Sequence, residues 1–147
     1  KSAITEMEKG LSLCDIVKVS EEEMFLLTGT SDLELGTKKL MSWGPSLIFV
    51  SCGGNGSFVR ARDLCVSAPG FSVKTIDTNG AGDTFLGAVL YQLQGRCRKD
   101  LLSLTSEELY KILTFANAAG ALATTQSGAI PAMPTHEEII TFLENQH

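Results

Sequence analysis

The stretch Thr75–Phe85, with the sequence TIDTNGAGDTF, decides the fold of this chain. It follows a segment in which Phe71, Val73 and Ile76 are apolar, and we predict that segment as an extended strand. It leads directly into an apolar run that predicts a helix over 85–93. Two glycines lie between the strand and the helix, so the chain is expected to turn there and to leave its backbone accessible.

Gly80 and Gly82 make this loop a candidate anion site. Glycine adopts backbone angles that a Cβ atom forbids, and it lets a ligand approach the backbone closely. The start of the following helix adds unpaired N–H groups and the positive end of the helix dipole, which together favour a phosphate. Two acids have ordinary explanations here, since Asp83 complements the helix dipole and Asp77 suits a turn or cap. Taken alone, the loop leaves a phosphate site and a plain turn both open.

The composition is that of a globular protein and excludes several classes of function. The 147 residues are 44% hydrophobic and 20% charged, which suits one domain with a substantial core. A net charge of −5 argues against a nucleic-acid or anionic-lipid partner, so a nucleotide would be held by backbone N–H groups and a metal ion. No apolar run approaches the roughly 20 residues of a membrane span, and we expect no signal peptide at the start.

The cysteines and histidines predict neither a disulfide framework nor a metal site. The spacing of Cys14, Cys52, Cys65 and Cys97 fits no metal-binding pattern, so we expect buried or free thiols in a reducing, cytoplasmic environment. The two histidines lie near the polar C-terminus, which argues against a histidine-based metal or catalytic site.

Strand and helix patterns alternate along the rest of the chain. Ser20 with Glu23, and Thr135 with Glu138, have the spacing of capping boxes at the starts of two helices. The alternation predicts an α/β layered sheet with helices on both faces, in one domain over 1–147. The predicted helices are 1–12, 20–29, 32–43, 106–123 and one from 135, and the predicted strands are 14–19, 47–51, 57–60 and 64–67, with the last two forming a hairpin.

Four segments, in chain order, resemble the ribokinase-like sugar kinases of the phosphofructokinase-B type. The stretch 77–85 (DTNGAGDTF) resembles the C-terminal signature of that family. The segment 18–23 (KVSEEE) resembles its Asn-x-x-Glu segment, with Ser20 where asparagine is usual. The segments 50–57 and 116–131 resemble its nucleotide-side strand and turn and its adenine-side helix and loop.

The resemblance implies a fold and a place within the family's chain. The fold is a three-layer α/β/α ribokinase-like (Rossmann-like) sheet. The four segments all belong to the C-terminal, nucleotide-binding part of the family's domain. The expectation is therefore that the N-terminal half and its β-lid, which carry the sugar contacts in the family, are absent here.

The resemblance also implies roles for the residues of the central loop. Asp83 matches the family's catalytic base, which takes the proton from the attacking hydroxyl group. The backbone N–H groups of Gly80, Ala81 and Gly82 match the anion hole for the transferring phosphoryl group.

Other positions match the family's nucleotide and metal sites. Glu23 matches a glutamate that orients hydrated Mg²⁺ without binding it directly. Asp77, Asn79 and Gly128 match a potassium site found in many members, although Ala132 stands where some members have a serine ligand. The matching nucleotide-binding positions are Ser20, Ser51, Gly53, Gly56 and Asn117.

Three of these positions keep ordinary structural explanations. Glu23 also fits the capping box that Ser20 begins. The Gly53–Gly56 segment also fits a tight turn between two strands. Asn117 also fits a polar helix residue that packs among alanines.

The activity that the resemblance implies is transfer of the γ-phosphoryl group of ATP to a sugar hydroxyl. Segments 22–29 and 119–125 are most similar to fructokinases, which convert D-fructose to fructose 6-phosphate. Ribokinase, 2-keto-3-deoxygluconate kinase and nucleoside or riboside kinases remain alternatives, as does an inactive ATP- or anion-binding module. A dinucleotide-dependent oxidoreductase is disfavoured, since no Gly-x-Gly-x-x-Gly opens the first βα unit. The implied partners are a sugar, ATP, Mg²⁺ and a possible K⁺, with a homodimer possible in the full-length protein.

Overall fold

The computed structural model describes residues 2–128, 130 and 132–146. The order of its elements alternates strands with helices, as the sequence predicts. In chain order the elements are α1 (Ser2–Leu11), β1 (Ile16–Ser20), α2 (Glu21–Thr28), α3 (Leu33–Met41), β2 (Leu47–Ser51), a 3₁₀ turn (Gly53–Asn55), β3 (Ser57–Ala61), β4 (Leu64–Ala68), α4 (Ala81–Leu93), α5 (Arg98–Leu101), α6 (Ser106–Ala123) and α7 (His136–Glu144).

The four strands form one mixed sheet in the order β1-β2-β3-β4. β1 and β2 are parallel, and their register pairs Ile16 with Leu47 and Ser20 with Ser51. The β2–β3 and β3–β4 pairs are antiparallel, which confirms the predicted hairpin. The two parallel strands therefore end side by side at one edge of the sheet.

Helices cover both faces of the sheet, so the three-layer α/β/α prediction is confirmed. On one face, α2 and α3 contribute Met24 and Leu40 to a buried cluster with Ile48 and Val50 of β2. The opposite face of the same strand carries Leu47 and Phe49, which belong to a second cluster. That cluster also contains Phe85, Val89, Leu109, Leu113 and Ile139 from α4, α6 and α7. β2 is apolar on both sides because both of its faces are covered.

Three helices begin at the N-terminal caps that their sequences specify. Ser20 and Glu23 form a complete capping box at the start of α2, and Thr135 and Glu138 form another at α7. α6 begins one residue after Thr105, which caps it together with Glu108. Each box satisfies N–H groups that have no partner within the helix.

Two sequence predictions are wrong, and both concern the residues between β4 and α4. The apolar segment 71–76 is irregular and is not a strand, because its end is held by α6: the N–H groups of Ile76 and Asp77 donate to Thr124 O at 2.7 and 3.1 Å. α4 begins at Ala81, four residues before the predicted start at 85, since Gly80 in the left-handed conformation (φ 78°) acts as its N-terminal cap. The segment between α4 and α6 contains the short helix α5, which the sequence analysis did not predict.

The four cysteines are free thiols. Cys14 and Cys97 are exposed, whereas Cys52 and Cys65 are partly buried. Among the described residues, no helix combines the length and the hydropathy that crossing a bilayer requires.

Candidate active site

The candidate site lies where the two parallel strands end. Ser20 and Ser51, the last residues of β1 and β2, are paired in the register. α2 begins directly after the first of these strands, and the glycine-containing 3₁₀ turn begins two residues after the second. In open α/β sheets the carboxyl ends of parallel strands form the edge at which ligands bind.

A cavity of about 240 Å³ opens at this edge. One side is the turn after β2, a second is the first turn of α4, and a third is the later half of α6. Of the five predicted nucleotide-binding residues, Ser51, Gly53, Gly56 and Asn117 line this cavity, and Ser20 does not. Ala81 and Gly82 of the predicted anion hole line it as well.

Gly56 allows the turn after β2 to pack directly on the backbone that follows β4. Its φ is 102°, and a Cβ atom there would overlap Ala68 O and would lie 2.6 Å from the Gly70 nitrogen. Gly70 packs equally closely against the turn, since a Cβ atom at Gly70 would overlap Gly54 O. This side of the cavity is therefore a backbone surface that only glycine can form at these two positions.

The first turn of α4 presents backbone N–H groups without partners. Gly80 caps the helix by its conformation alone, with no side-chain hydrogen bond. The Ala81 N–H donates to Thr78 O at 3.3 Å, whereas those of Gly80, Gly82 and Asp83 donate to no acceptor in the described chain. Free N–H groups and the positive end of a 13-residue helix meet at this point, so the turn is suited to bind an anion. The Asp83 N–H was not among the predicted anion-hole groups.

Asp83 lies in the first turn of α4 with its side chain exposed. Its carboxylate accepts no hydrogen bond and forms no ion pair with the residues that the structure describes. It is therefore free to accept a proton or a hydrogen bond from a ligand, as a general base requires.

Asn117 connects α6 to the end of β4 by hydrogen bonds. Its side-chain amide donates to Ala68 O at 3.2 Å and to Pro69 O at 3.1 Å, and the residue is 7% exposed. It thereby fixes α6 to the segment on which Gly56 packs. Its predicted contact with a nucleotide stays a prediction, although Asn117 does line the cavity.

Ser20 and Glu23 are both engaged in the capping box of α2. Glu23 Oε2 accepts from the Ser20 N–H at 2.7 Å, and the Glu23 N–H donates to Ser20 Oγ at 3.1 Å. Glu23 Oε1 makes no hydrogen bond within the described chain, so one carboxylate oxygen remains available. The capping explanation is confirmed, and the predicted roles with nucleotide and Mg²⁺ stay predictions.

Asp77 is hydrogen-bonded to the other two residues that were predicted to surround a potassium ion, Asn79 and Gly128. Its Oδ1 accepts from the Asn79 N–H at 2.9 Å, and its Oδ2 accepts from the Gly128 N–H at 3.0 Å. These two backbone hydrogen bonds hold the pKa of Asp77 below its usual value, and the bond from Asn79 has the larger effect. The loop before α4 and the loop after α6 are therefore fastened together by one carboxylate.

We expect Asp77→Asn to loosen this connection, because the amide keeps one acceptor oxygen and its nitrogen cannot accept from the second of the two N–H groups. The pKa of Asp77 is lower in the folded than in the unfolded protein, so its contribution to stability is present above its usual pKa of 3.8 and is lost as the pH falls through the lower folded value. The melting temperature of wild type should exceed that of the variant at pH 6, and the difference should shrink below pH 3.8. Asp63→Asn, an exposed carboxylate in the β3–β4 turn, is the control. Equal melting temperatures at every pH would contradict this role.

Cys52 lies beside the cavity but is not a nucleophile at neutral pH. Burial, with a smaller effect of the neighbouring Glu21 carboxylate, raises the pKa of its thiol to about 11. A raised pKa disfavours the thiolate at neutral pH, so no catalytic role is assigned to Cys52.

The sequence did not reveal every residue that forms the site. Gly70 and Gly120 line the cavity, and Gly120 lies where α6 packs against α4, since a Cβ there would lie 3.4 Å from Ala81 O, an ordinary contact distance. Lys18 reaches the first turn of α4 from β1, close to Gly82. The signal for Lys18 was a single cation within the apolar strand 14–19.

Comparison with known families identifies this arrangement. The model of the pfkB family carbohydrate kinases matches residues 1–136. The chain belongs to that family. The resemblance found in the sequence is thus confirmed, and the match includes the loop at the start of α4.

Curated relatives within the pfkB family include plant fructokinases. Fructokinase-1 of Zea mays is 42% identical over 133 residues, which cover 88% of this chain and 40% of the maize protein. The chain therefore spans about two fifths of the length of this relative.

Solved structures of the same family share the fold. A Xylella fastidiosa fructokinase with bound ATP superposes with a TM-score of 0.89 at 32% identity, over 99% of this chain and 47% of that one. A double mutant of Vibrio cholerae fructokinase, in fructose-, ADP- and potassium-bound form, gives a TM-score of 0.82 at 34% identity, over 95% of this chain and 44% of that one. Arabidopsis thaliana ribokinase with ribose and ATP gives a TM-score of 0.75 at 27% identity, over 93% of this chain and 43% of that one.

Proposed function

We propose that this chain forms the nucleotide-binding part of an ATP-dependent fructokinase, which converts D-fructose to fructose 6-phosphate. The observation that carries the proposal is the first turn of α4, where Ala81 and Gly82 line the cavity and free N–H groups and the exposed Asp83 carboxylate belong to the same turn. Such a turn binds the phosphoryl group that is transferred and holds a base next to it.

In the proposed reaction a sugar hydroxyl oxygen attacks the γ-phosphorus of ATP. The hydroxyl proton passes to the Asp83 carboxylate, the new P–O bond forms, and the bond to the β-phosphate oxygen breaks with its electron pair leaving on ADP. The N–H groups of Gly80, Gly82 and Asp83 stabilise the charge on the transferred group. The protein contributes position and electrostatics, since phosphoryl transfer needs little covalent help.

Mg²⁺ is the expected companion of ATP, and the residues present suit an outer-shell role. In the described chain no group of three or more acidic, histidine or cysteine side chains is arranged to hold a metal ion. Mg²⁺ bound by phosphate oxygens and waters needs no such group. Glu23 Oε1, which is free, would accept from a water of the hydrated ion. When bound, the ion neutralises charge on the β- and γ-phosphates.

A potassium ion near the loop of Asp77, Asn79 and Gly128 is a further element of the proposal. The carboxylate brings these residues together, and the Vibrio cholerae fructokinase was solved with potassium. A cation held there would order the segment that leads into α4.

Fructose is proposed as the acceptor because the relatives and the two most similar structures named above are fructokinases. Ribokinase shares the fold at lower identity, so ribose is the second candidate acceptor.

The proposal is tested by measuring ADP release from the full-length protein with ATP, Mg²⁺ and a panel of sugars. The panel contains D-fructose, ribose, 2-keto-3-deoxygluconate and aminoimidazole riboside, each with and without K⁺. We expect D-fructose to give the highest kcat/KM. A preference for another sugar would correct the substrate, and binding of ATP without turnover on any sugar would instead support the anion-binding module.

A further inference from the structure

Lys18 lies on the α4 side of the sheet. Side chains alternate along β1, and Val17 and Val19 belong to the cluster beneath α2 and α3. Ile16 packs against the other cluster, which contains Phe85 of α4, so Lys18 shares that face. Its register partner is Phe49, whose ring meets Phe85 edge to face at 6.5 Å. β1 thus directs a lysine toward the start of α4.

The ammonium group of Lys18 reaches Gly82. A Cβ atom at Gly82 would lie 2.9 Å from Lys18 Nζ and 3.8 Å from its Cε. The absence of a side chain at Gly82 therefore leaves the space that the ammonium group uses. Gly82 also lines the cavity, and its N–H is free.

Lys18 has no ion-pair partner within the described chain. It takes part in none of the hydrogen bonds or ion pairs formed by residues 2–128, 130 and 132–146. A cation beside the positive end of a helix is unfavourable by itself, because cations are stabilised at the other end. An anion between Lys18 and the N–H groups of α4 turns both positive features into favourable contacts.

We propose that Lys18 is a phosphate-binding residue of this site, and that its ammonium group contacts the terminal phosphoryl group of ATP beside Gly82. The inference rests on the proposed kinase function and adds a side chain to an anion site otherwise formed by the backbone. None of the described residues that line the cavity is a lysine or arginine, whereas the ammonium group of Lys18 comes close to Gly82, which does line it. A contact with the γ-phosphoryl group, and not with the remaining phosphates, makes Lys18 a group that distinguishes ATP from ADP.

The test compares the binding of ADP and of the non-hydrolysable ATP analogue AMP-PCP by titration calorimetry, with Mg²⁺ and the full-length protein. In Lys18→Met we expect AMP-PCP to bind at least about tenfold more weakly, as for loss of a hydrogen bond to a charged group. ADP should bind within about threefold of wild type, since it lacks the contacted group. Lys18→Arg keeps the charge and should recover part of the loss. Lys111→Met removes an exposed lysine of α6 that pairs with Glu107, and it should change neither affinity.

The outcomes separate the inference from the function on which it rests. Wild type that turns over, with Lys18→Met weakening both nucleotides equally or neither, would overturn the role of Lys18 and leave the kinase intact. Equal weakening would show that Lys18 supports the site as a whole and does not contact the γ-phosphoryl group. Wild type that binds neither nucleotide would overturn both. Lys18→Gln, which is neutral but polar, provides the same comparison if circular dichroism shows that Lys18→Met does not fold.

Discussion

Asp83→Asn is expected to lower kcat about 10²- to 10⁴-fold, the usual contribution of a positioned general base. The amide cannot take the proton of the attacking hydroxyl group, so the transferred group meets a poorer nucleophile. The affinity for ATP should remain or increase slightly, because the substitution removes a negative charge from the phosphate site. The measurements are steady-state ADP release with D-fructose and calorimetric titration with AMP-PCP.

The controls for this variant are set by the exposure of Asp83. Its carboxylate makes no hydrogen bond or ion pair in the described chain that the substitution would remove, so the free energy of unfolding should change by no more than about 1 kcal/mol, the size of a helix-dipole effect. Asp63→Asn is again the matched control and should retain wild-type turnover. If Asp83→Asn keeps more than a tenth of the wild-type kcat, Asp83 is not the base.

Gly56→Ala is expected to destabilise the protein by about 3 kcal/mol or more, and to abolish tight nucleotide binding. The substitution adds a Cβ to a residue with φ of 102° and forces it against Ala68 O and the Gly70 nitrogen. Backbone strain of this kind and overpacking each contribute about 1–3 kcal/mol. Because both contacts are with backbone atoms, no side chain can move aside to relieve them. Urea unfolding and titration with ADP measure the two effects.

Gly54→Ala is the matched control for the unfolding experiment. It lies two residues earlier in the same turn, and a Cβ there meets no atom within 4 Å. Its unfolding free energy should stay within about 1 kcal/mol of wild type, as for other surface substitutions. Equal stability of the two alanine variants would contradict the close packing of the turn on residues 68–70.

Local features of this fold were predictable because they depend on neighbours in the sequence. The capping box of Ser20 and Glu23, the hairpin of β3 and β4, and the span of α6 all follow from short-range patterns. The glycine loop at the start of α4 is equally local, since Gly80 and Gly82 need no distant contact to expose backbone N–H groups. These features are sufficient to predict a candidate anion site at residues 80–82.

The remaining features depend on contacts between distant segments. Segment 71–76 has an apolar pattern that suits a strand, but its last N–H donates to Thr124 O, in the residue that directly follows α6. Asn117 could not be assigned from α6 alone, because its partners Ala68 and Pro69 are nearly fifty residues away in the chain. Lys18 was overlooked for the same reason, since only the topology brings β1 beside Gly82.

The most direct test of the proposed phosphoryl-transfer site is a crystal structure of the full-length protein with AMP-PCP and D-fructose. The account predicts the γ-phosphate at the free N–H groups of Gly80, Gly82 and Asp83. It also predicts a fructose hydroxyl within about 3 Å of the Asp83 carboxylate, the range of a hydrogen bond. A nucleotide bound elsewhere, or a sugar whose hydroxyl groups do not approach Asp83, would contradict the account.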